Sequence, residues 1–462
     1  MQQNLGAKLQ IIEEKNVSLP QNMKRMKYFL ISISLLLGLT ACEKEHTNTP
    51  PQPSQRTVMA YIAGDNNLTS LSVDDIWEME NGAKNIPAGN TMVLFVDKRY
   101  SSEYPFIAKL TGDPNAPLDT LYKYDSERYD SDPAVFKEAL QKMMDFCPAK
   151  EYGLVLWGHG TGWAVDPDTI ASLAPRRAYG YDEGNKTWMN ITQMAAALNG
   201  LPKMKFIFAD CCHMACIEVA YELRNTTEYF IGSPAEIPGR GAPYATLIKE
   251  LFNTSPTFYQ NIVDTYYDYY ASTSNHSSTE RYTWSYMEDG YSVPLSVINT
   301  TYLPQLATAT RDLINNIPNG YPEYPNSPDF NGIAYYFGLD VPMMYDMRAV
   351  LSRMANPEQF AEWDALYHQA VPYSRMSMKW MTVFDGRYVG SQYYYPYFYD
   401  LRTDMVSERF DATLPYGCVS MYFPFVGKGY DEGDFCYNLR ANNFEWNRLM
   451  QWDRFGWTQI KP

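Results

Sequence analysis

The chain has 462 residues, of which 45% are hydrophobic and 20% are charged, so it is long enough to form two globular domains with their own cores. Its formal net charge of −15 gives an acidic surface that repels phosphate backbones, which excludes nucleic acid as a partner and favours basic peptides. The seven cysteines form no C-x-x-C pair, so a zinc ribbon and a thioredoxin-like motif are also excluded.

The first 42 residues contain the features of an export signal. A basic segment at 24–27 precedes an apolar run, Tyr28–Leu39, that is shorter than the ~20 residues needed to span a membrane, and Cys42 follows shortly. This order resembles a bacterial lipoprotein signal, and the resemblance implies cleavage before Cys42 and lipidation of its sulfur. The residues before the basic segment fit no signal design, so we expect translation to start at Met23 or Met26.

A polar, Pro-rich segment at 43–55 follows the signal. It cannot bury a core and is predicted to be a tether between the membrane and the folded chain. We therefore expect an exported bacterial lipoprotein of the cell envelope, facing the periplasm or the cell surface.

From residue 56 onward, short apolar segments alternate with amphipathic ones. Buried strands are predicted at 57–63, 91–97, 152–157, 205–209 and 228–232, and a smaller hairpin at 106–110 and 120–124. Helices are predicted over 71–83, from Asp132-Pro133 to Cys147, over 192–198 and over 214–224. This alternation predicts an α/β fold, in which a mostly parallel sheet is covered by helices on both faces.

The regular alternation is lost at about residue 252. Tyr-rich and Asn/Ser-rich loops follow, with a helical segment predicted at 343–370 and a strand at 417–424. We therefore divide the folded chain into a domain at 56–251 and an α+β C-terminal region at 252–462, packed closely against it and without a site of its own.

Two predicted strands end in residues suited to nucleophilic chemistry. One runs into Gly158-His159-Gly160 and the next into Asp210-Cys211-Cys212. Because the carboxyl ends of parallel strands meet at one edge of a sheet, His159 and Cys212 are expected to be neighbours. A Cys at the start of a helix is stabilised as thiolate, an imidazole activates it, and the Gly160 and Cys212 amides can donate to an oxyanion.

Free cysteines are also common as small buried residues, and this alternative applies to Cys211, Cys212 and Cys216. His159 distinguishes the pattern, because it is flanked by glycines at a strand end. The remaining histidines lie in the tether, beside the cysteines, in a polar loop and on a predicted helix: His46, His213, His276 and His368. The pairing of a strand-end His with a strand-end Cys therefore favours a catalytic site.

These motifs resemble those of the clostripain-like cysteine peptidases, members of the caspase, gingipain and legumain clan. The family pattern is a strand into W-G-H-G, here Trp157–Gly160, and a strand into D-x-C with Met two positions on, here Asp210–Met214. The opening Tyr61–Leu68 also matches. The resemblance implies a caspase-like catalytic domain, Cys212 rather than Cys211 as the nucleophile, and hydrolysis after basic residues through an acyl-enzyme.

The same resemblance assigns Asp210 to the S1 pocket. A carboxylate there can pair with the P1 guanidinium in fork geometry, so Arg is preferred over Lys. From the sequence alone, Asp210 can also be a helix cap. The loop at 233–241 resembles the S1 loop of the family, but it carries Arg240 where some members have an acid, and a base there weakens binding of a basic P1 residue unless it points to solvent.

The stretch 166–190 shows no hydrophobic period and contains several turn residues, so it is predicted to be an exposed loop. Exposed loops are preferred sites of nicking, and Arg176 and Arg177 stand inside this one. Relatives in the family are processed between the His and the Cys after a basic residue. We therefore predict self-cleavage after Arg177 or Arg176, with both fragments remaining associated.

The sequence thus predicts a lipid-anchored cysteine endopeptidase that acts on proteins or peptides with exposed Arg or Lys. One alternative is a lipoprotein that binds glycan or peptide through its 39 Tyr and 10 Trp on an inactive peptidase scaffold. Another is an acyl-transfer or amidase enzyme that uses the same dyad. No EF-hand loop or other metal motif is visible, so the sequence predicts no metal ligands and no cofactor, and it leaves dependence on calcium open.

Overall fold

The computed structural model describes residues 52–99, 104–163, 179–272, 290–315, 330–337, 343–383, 387–389, 392–394, 397–401, 410–424 and 441–452. The signal region with Cys42, most of the tether, and the predicted cleavage residues Arg176 and Arg177 lie outside this range. Within it, no helix combines the length and apolar character that crossing a membrane requires.

A nine-stranded sheet forms the centre of the described structure. In chain order its strands are β1 (Ser54–Gly64), β2 (Thr91–Lys98), β3 (Phe106–Leu110), β4 (Leu118–Lys123), β5 (Ala149–Trp157), β8 (Met204–Asp210), β9 (Thr227–Gly232), β10 (Leu295–Asn299) and β13 (Tyr373–Arg375). Their spatial order is β13-β10-β9-β8-β5-β1-β2-β3-β4. The middle strands β2, β1, β5, β8 and β9 are parallel to one another, and antiparallel strands extend both edges.

The remaining described strands form small antiparallel sheets. They are β6 (Tyr179–Asp182), β7 (Thr187–Met189), β11 (Tyr335–Phe337), β12 (Met343–Asp346), β14 (Lys379–Val383), β15 (Arg387–Val389), β16 (Gln392–Tyr394), β17 (Tyr397–Asp400) and β18 (Ser420–Met421). The pairs β6–β7, β14–β17 and β15–β16 each stand alone, whereas β12 lies between β11 and β18.

Helices cover both faces of the central sheet. They are α1 (Thr69–Gly82), α2 (Pro133–Phe146), α3 (Ile191–Leu198), α4 (Ile217–Glu222), α5 (Tyr244–Leu247), α6 (Phe258–Ala271), α7 (Leu303–Asn315), α8 (Met347–Met354), α9 (Pro357–Ala370) and α10 (Glu445–Met450). The burial pattern of β1 explains this arrangement: Met59 and Tyr61 pack on one face with Phe136 of α2, whereas Val58 and Ile62 pack on the other with α1. A strand whose two sides are both apolar needs cover on both faces.

The structure confirms the predicted fold class and most of the predicted elements. The five buried strands and the smaller hairpin form where expected, and α2 begins at the predicted cap, where Asp132 accepts a hydrogen bond from the Ala134 N–H at 2.7 Å. The segment expected to be helical over 343–370 is confirmed for most of its length, as α8 and α9, but β12 occupies its start. Asn356 separates the two helices and caps the second, with Pro357 at its first position. The strand expected at 417–424 is reduced to Ser420–Met421.

The predicted exposed loop at 166–190 is wrong for its second half. Residues 179–189 form the β6–β7 hairpin, whose Tyr179 and Met189 are fully buried and whose Trp188 is 7% exposed. Strands of three or four residues are too short to show a period in the sequence, which explains the error.

The C-terminal region continues the sheet of the preceding domain. β10 pairs antiparallel with β9, and β13 pairs with β10, so that strands from both sides of the predicted boundary at 251/252 share one sheet. The loss of alternation after residue 252 therefore reflects a change from parallel to antiparallel pairing within one sheet.

Candidate active site

His159 follows the last residue of β5 by two positions, at the carboxyl edge of the sheet. Gly158 turns the chain there with φ of 142°, and a Cβ on it would lie 2.9 Å from the carbonyl oxygen of Ala63 on the adjacent strand. Only glycine fits this combination of conformation and close approach. The glycine before the histidine is therefore a requirement of the turn that presents the imidazole.

Asn67 forms a hydrogen bond with the imidazole of His159. It lies in the turn after β1, and its Oδ1 is 2.7 Å from His159 Nε2. The indole of Trp188 in β7 packs beside the same ring, with 5.8 Å between centroids. Sequence reasoning assigned no role to either residue, although Asn67 belongs to the turn at the carboxyl end of a strand that was itself predicted.

Cys212 follows the last residue of β8 by two positions, so it matches His159 in register. Trp157 and Asp210, the last residues of β5 and β8, are paired across the two parallel strands. The two loops also touch, because a Cβ on Gly160 would lie 2.7 Å from the Cys212 carbonyl oxygen and 2.8 Å from the Cys211 Cβ. The structure therefore brings together the histidine and cysteine loops that the sequence predicted to meet.

The three cysteines of this segment differ in exposure. Cys211 and Cys216 are fully buried, and burial raises the pKa of both thiols well above the usual range. Cys212 is partly exposed, and its Sγ lies 3.4 Å from the N–H of Ile237. Its position makes Cys212 the accessible thiol of the three. Among the residues that the structure describes, the five cysteines form no disulfide.

The prediction that Cys212 opens a helix is wrong. The following helix, α4, begins only at Ile217, with Cys216 as its N-cap. The intervening residues form a turn in which His213 has φ of 61° and donates its backbone N–H to Ala235 O at 3.0 Å. The residues between β8 and α4 are therefore fixed by the loop after β9, and the helix dipole does not begin at the thiol.

Asp210 is buried beneath the cysteine loop at 2% exposure. Its Oδ2 accepts hydrogen bonds from the Ala242 N–H at 2.9 Å and the Tyr244 hydroxyl at 2.8 Å, and its Oδ1 accepts one from the Tyr266 hydroxyl at 3.0 Å. Burial raises its pKa to about 6, although these three donors oppose that shift. Since α4 begins seven residues later, Asp210 does not cap it.

A second buried carboxylate, Asp75 of α1, lies near Asp210. Its Oδ2 accepts a hydrogen bond from the indole N–H of Trp157 at 2.5 Å. A Cβ on Gly241 would lie 2.4 Å from Asp210 Oδ2 and 3.2 Å from Asp75 Oδ2, so the loop at 233–241 passes between the two acids. The pKa of Asp75 is raised by burial first and then by Asp210, and Arg240 acts in the opposite direction. Arg240 is thus close enough to lower the pKa of Asp75.

Comparison with known proteins agrees with this arrangement. The model of the clostripain family matches residues 60–388 of the chain, which include both loops of the site. Clostripain of Hathewaya histolytica is 28% identical over 230 residues, and the match spans 42% of each protein, so the chain covers less than half the length of this curated relative.

Two solved structures are similar over most of the chain. A secreted C11 cysteine protease from Bacteroides thetaiotaomicron, in complex with an irreversible peptide inhibitor, is 28% identical with a TM-score of 0.67, covering 87% of this chain and 100% of that one. An inactive zymogen C11 protease from Parabacteroides distasonis is 25% identical with a TM-score of 0.66, covering 87% and 99%. Because the family model spans most of the chain and the fold agrees, the protein belongs to the clostripain family, the C11 peptidases.

Proposed function

We propose that the protein is a cysteine endopeptidase with Cys212 as nucleophile and His159 as its acid–base partner. The observation that carries the proposal is the position of a partly exposed thiol two residues beyond β8, in a loop that contacts the loop carrying the imidazole two residues beyond the adjacent strand β5. Membership of the clostripain family supports the same reaction. Neither Cys211 nor Cys216 competes, because both are buried.

Asn67 determines which nitrogen of the His159 imidazole can act as the base. An amide oxygen only accepts hydrogen bonds, so His159 Nε2 is the donor in the contact at 2.7 Å. The neutral ring then carries its lone pair on Nδ1, which is the atom that can take the thiol proton. Asn67 is thus a positioning residue, fixing the tautomer in which His159 can act as a base.

The reaction follows from these groups. The thiol proton passes to His159, and the Cys212 sulfur attacks the scissile carbonyl carbon, while the Gly160 and Cys212 amides donate to the oxyanion. The C–N bond breaks as the leaving amine takes the proton from His159, which leaves a thioester. Water then attacks the thioester, the C–S bond breaks, and the carboxylic acid and the free thiol are released.

We infer a preference for basic P1 residues, Arg before Lys, from the acids beside the cysteine loop. Asp210 and Asp75 place two carboxyl groups next to the loop at 233–241, which also contacts Cys212 through Ile237. Three protein donors already bind Asp210, so it retains limited capacity for a guanidinium and acts chiefly through its charge. The acid pair nevertheless favours a cation over a neutral side chain.

A peptide library read by mass spectrometry tests the proposed function. Wild-type protein should cleave after Arg and more weakly after Lys, Cys212→Ala should cleave nothing, and Cys211→Ala, the matched control, should behave like wild type. Acyl transfer to added amines without hydrolysis would indicate a transferase. Cleavage by Cys212→Ala at the wild-type rate would refute the assignment of the nucleophile.

We also propose that the chain is exported and lipidated on Cys42. One of the similar structures is that of a secreted protease, which agrees with export. Cys42→Ser should move the protein from the membrane fraction to the soluble fraction of its host, and unchanged partitioning of that variant would contradict the anchor.

A further inference from the structure

Glu218 of α4 is a buried carboxyl group close to the active-site loops. Its side chain is 0% exposed, and its Oε1 accepts a hydrogen bond from the Tyr422 N–H at 2.8 Å. Within the part of the chain that the structure describes, its Oε2 is buried and forms no hydrogen bond. A buried carboxyl group with an unpartnered oxygen lowers stability, and a negative charge on it would lower stability further.

The segment that Glu218 binds is also attached to the cysteine loop. The Ser420 N–H of β18 donates to the Ala215 carbonyl oxygen at 3.0 Å, and the Ala215 N–H donates to the Ser233 carbonyl oxygen at 2.8 Å. The cysteine loop is therefore held between β18 and the loop after β9. The hydrogen bond from the Tyr422 N–H to Glu218 fastens the same segment a second time, two residues farther along the chain.

The histidine loop contacts this segment as well. Trp163, which directly follows Gly162, packs its indole on the Tyr422 ring with 4.8 Å between centroids. A Cβ on Gly162 would lie 2.5 Å from the His213 carbonyl oxygen and 3.2 Å from the Cys216 Sγ, so the histidine and cysteine loops touch here too. The segment that begins at β18 thus supports both loops of the proposed site.

This support lies on the opposite face of the sheet from the proposed S1 acids. Trp163 and Tyr422 belong to the apolar cluster on the face covered by α2. Tyr244 and Tyr266, whose hydroxyls bind the S1 acid, belong to the cluster on the face covered by α1. A change at Glu218 is therefore expected to disturb the loops that carry the reacting groups more than the binding of a P1 side chain.

The carboxyl group of Glu218 is neutral at pH 7. Burial raises its pKa to about 8, although backbone N–H groups and the nearby Cys216 thiol oppose that shift. Above this pH the group becomes a buried carboxylate, and either water must enter or the bound segment must move to solvate the charge. Both changes would displace the backbone that supports the loops.

The other ionisable groups on the elements around Glu218 differ from it in where they titrate or in what they face. Burial raises the pKa of the Cys216 thiol well above its usual range, and the Tyr422 phenol has an ordinary pKa of about 10. Helix α3, which packs beside α4, contains no ionisable residue. The charged groups at the end of α4 and on α10 act on Glu222 instead: Arg224, Glu445 and Arg448.

We propose that Glu218 is a positioning residue of the peptidase site, and that its neutral form keeps the segment 420–422 in place and so holds the Cys212 and His159 loops in register. This inference rests on the proposed function, because it concerns the same two loops. It adds an acid that acts through the backbone, and whose proton the active arrangement requires.

The pH dependence of kcat tests the inference. Glu218→Gln keeps the shape of the side chain and the acceptor for the Tyr422 N–H, but it cannot ionise. The ratio of its kcat to that of wild type should be close to one at pH 6.5 and rise to about tenfold at pH 9, with unchanged KM for Arg substrates. Titration of Cys212 and His159 is common to both proteins and cancels in the ratio.

Glu222→Gln is the matched control, because it removes a partly buried acid of the same helix that binds the Glu445 N–H on α10. Its kcat ratio to wild type should not change with pH. A wild type that cleaves peptides while the Glu218→Gln ratio stays constant from pH 6.5 to 9 would contradict this inference alone. A wild type that cleaves no peptide would contradict the proposed function and this inference with it.

Thermal unfolding provides a readout that does not depend on activity. Glu218 has a higher pKa in the folded chain than in the unfolded chain, where it is about 4.3. The unfolded state therefore binds fewer protons between these values, and wild type loses stability as the pH rises from 5 to 8. The Tm of Glu218→Gln relative to wild type should rise over the same range, and a constant difference would show that Glu218 is already charged in the folded protein, which would overturn the inference.

Discussion

His159 and Cys212 are held in different ways at the scale of single residues. The imidazole contacts Asn67, in the turn after β1, and Trp188, in the β6–β7 hairpin. The thiol instead follows a turn that the loop after β9 fixes through His213 and Ile237. The proposed base is therefore positioned by side chains and the proposed nucleophile by backbone. Changes in Asn67 should accordingly affect proton transfer more than the fold.

Arg240 is a positive charge near the acids that are proposed to attract a basic P1 side chain. Because Arg240 lies close enough to Asp75 to lower its pKa, its positive charge offsets part of the negative charge that would attract a substrate cation. Arg240→Gln should lower the KM for Arg substrates by about threefold to tenfold and leave Leu substrates unchanged. Lys203→Gln, which removes an exposed charge at the opposite end of β8, is the control. Equal KM values for wild type and Arg240→Gln would show that Arg240 does not reach the P1 side chain.

The pKa of Asp210 predicts how specificity depends on pH. Burial raises it to about 6, so the carboxylate is charged above pH 6 and neutral below it. The ratio of kcat/KM for Arg over Leu substrates should therefore fall as the pH drops through 6, since terms common to both substrates cancel. Asp210→Asn should lower the ratio about tenfold to hundredfold and make it independent of pH. A wild-type ratio that stays constant from pH 5 to 8 would contradict the role of Asp210.

At the scale of elements, the contact between the loops after β5 and β8 sets the relative position of His159 and Cys212. Gly160 leaves no room for a side chain against the Cys212 carbonyl and Cys211 Cβ. Gly160→Ala should push the loops apart and reduce kcat/KM by about 100-fold, because displacement of about 1 Å costs that much in positioned catalysis. Gly232→Ala, where a Cβ meets its neighbours at 3.5 Å or more, should keep activity close to wild type. Full activity of Gly160→Ala would show that the two loops can separate freely.

Sequence reasoning predicted the elements whose pattern is long and regular. The apolar runs of β1, β5 and β8 identified the parallel strands, and parallel strands place their ends at one edge, so the meeting of the His159 and Cys212 loops could be predicted. The β6–β7 hairpin could not be predicted, because its strands have only three or four residues and its burial comes from tertiary packing. Because the hairpin was not predicted, the contact of Trp188 with His159 and the buried carboxylate of Asp182 were not predicted either.

The start of α4, three residues later than predicted, shows a second limit of prediction from sequence. Residues 214–216 are apolar or small and fit a helix by pattern, yet their backbone pairs with Ser233 and Ser420 instead. Tertiary hydrogen bonds thus displaced the helix start by three residues. A sequence pattern contains no information about such partners, which lie 17 or more positions away in the chain.

At the scale of the whole molecule, a continuous sheet joins the parts that processing would separate. The segment with Arg176 and Arg177 lies between β5 and β6, and the Tyr179 hydroxyl on the far side donates to the carbonyl oxygens of Tyr61 and Trp157 at 3.2 and 3.3 Å. We expect cleavage after Arg177 or Arg176 in wild type, with both fragments eluting together in gel filtration, and an intact chain for Cys212→Ala. An intact wild type with full activity would show that cleavage is neither automatic nor required.

The assignment of Cys212 as the nucleophile is tested most directly by covalent labelling. Wild type and the variants Cys211→Ala, Cys212→Ala and His159→Ala would be treated with an irreversible Arg-directed acyloxymethyl ketone, and the modified residue identified by peptide mapping. We predict one label, on Cys212, in wild type and in Cys211→Ala, and no label in Cys212→Ala or His159→Ala, all with unchanged circular dichroism. A label on Cys211, or equal labelling of Cys212→Ala, would contradict the account.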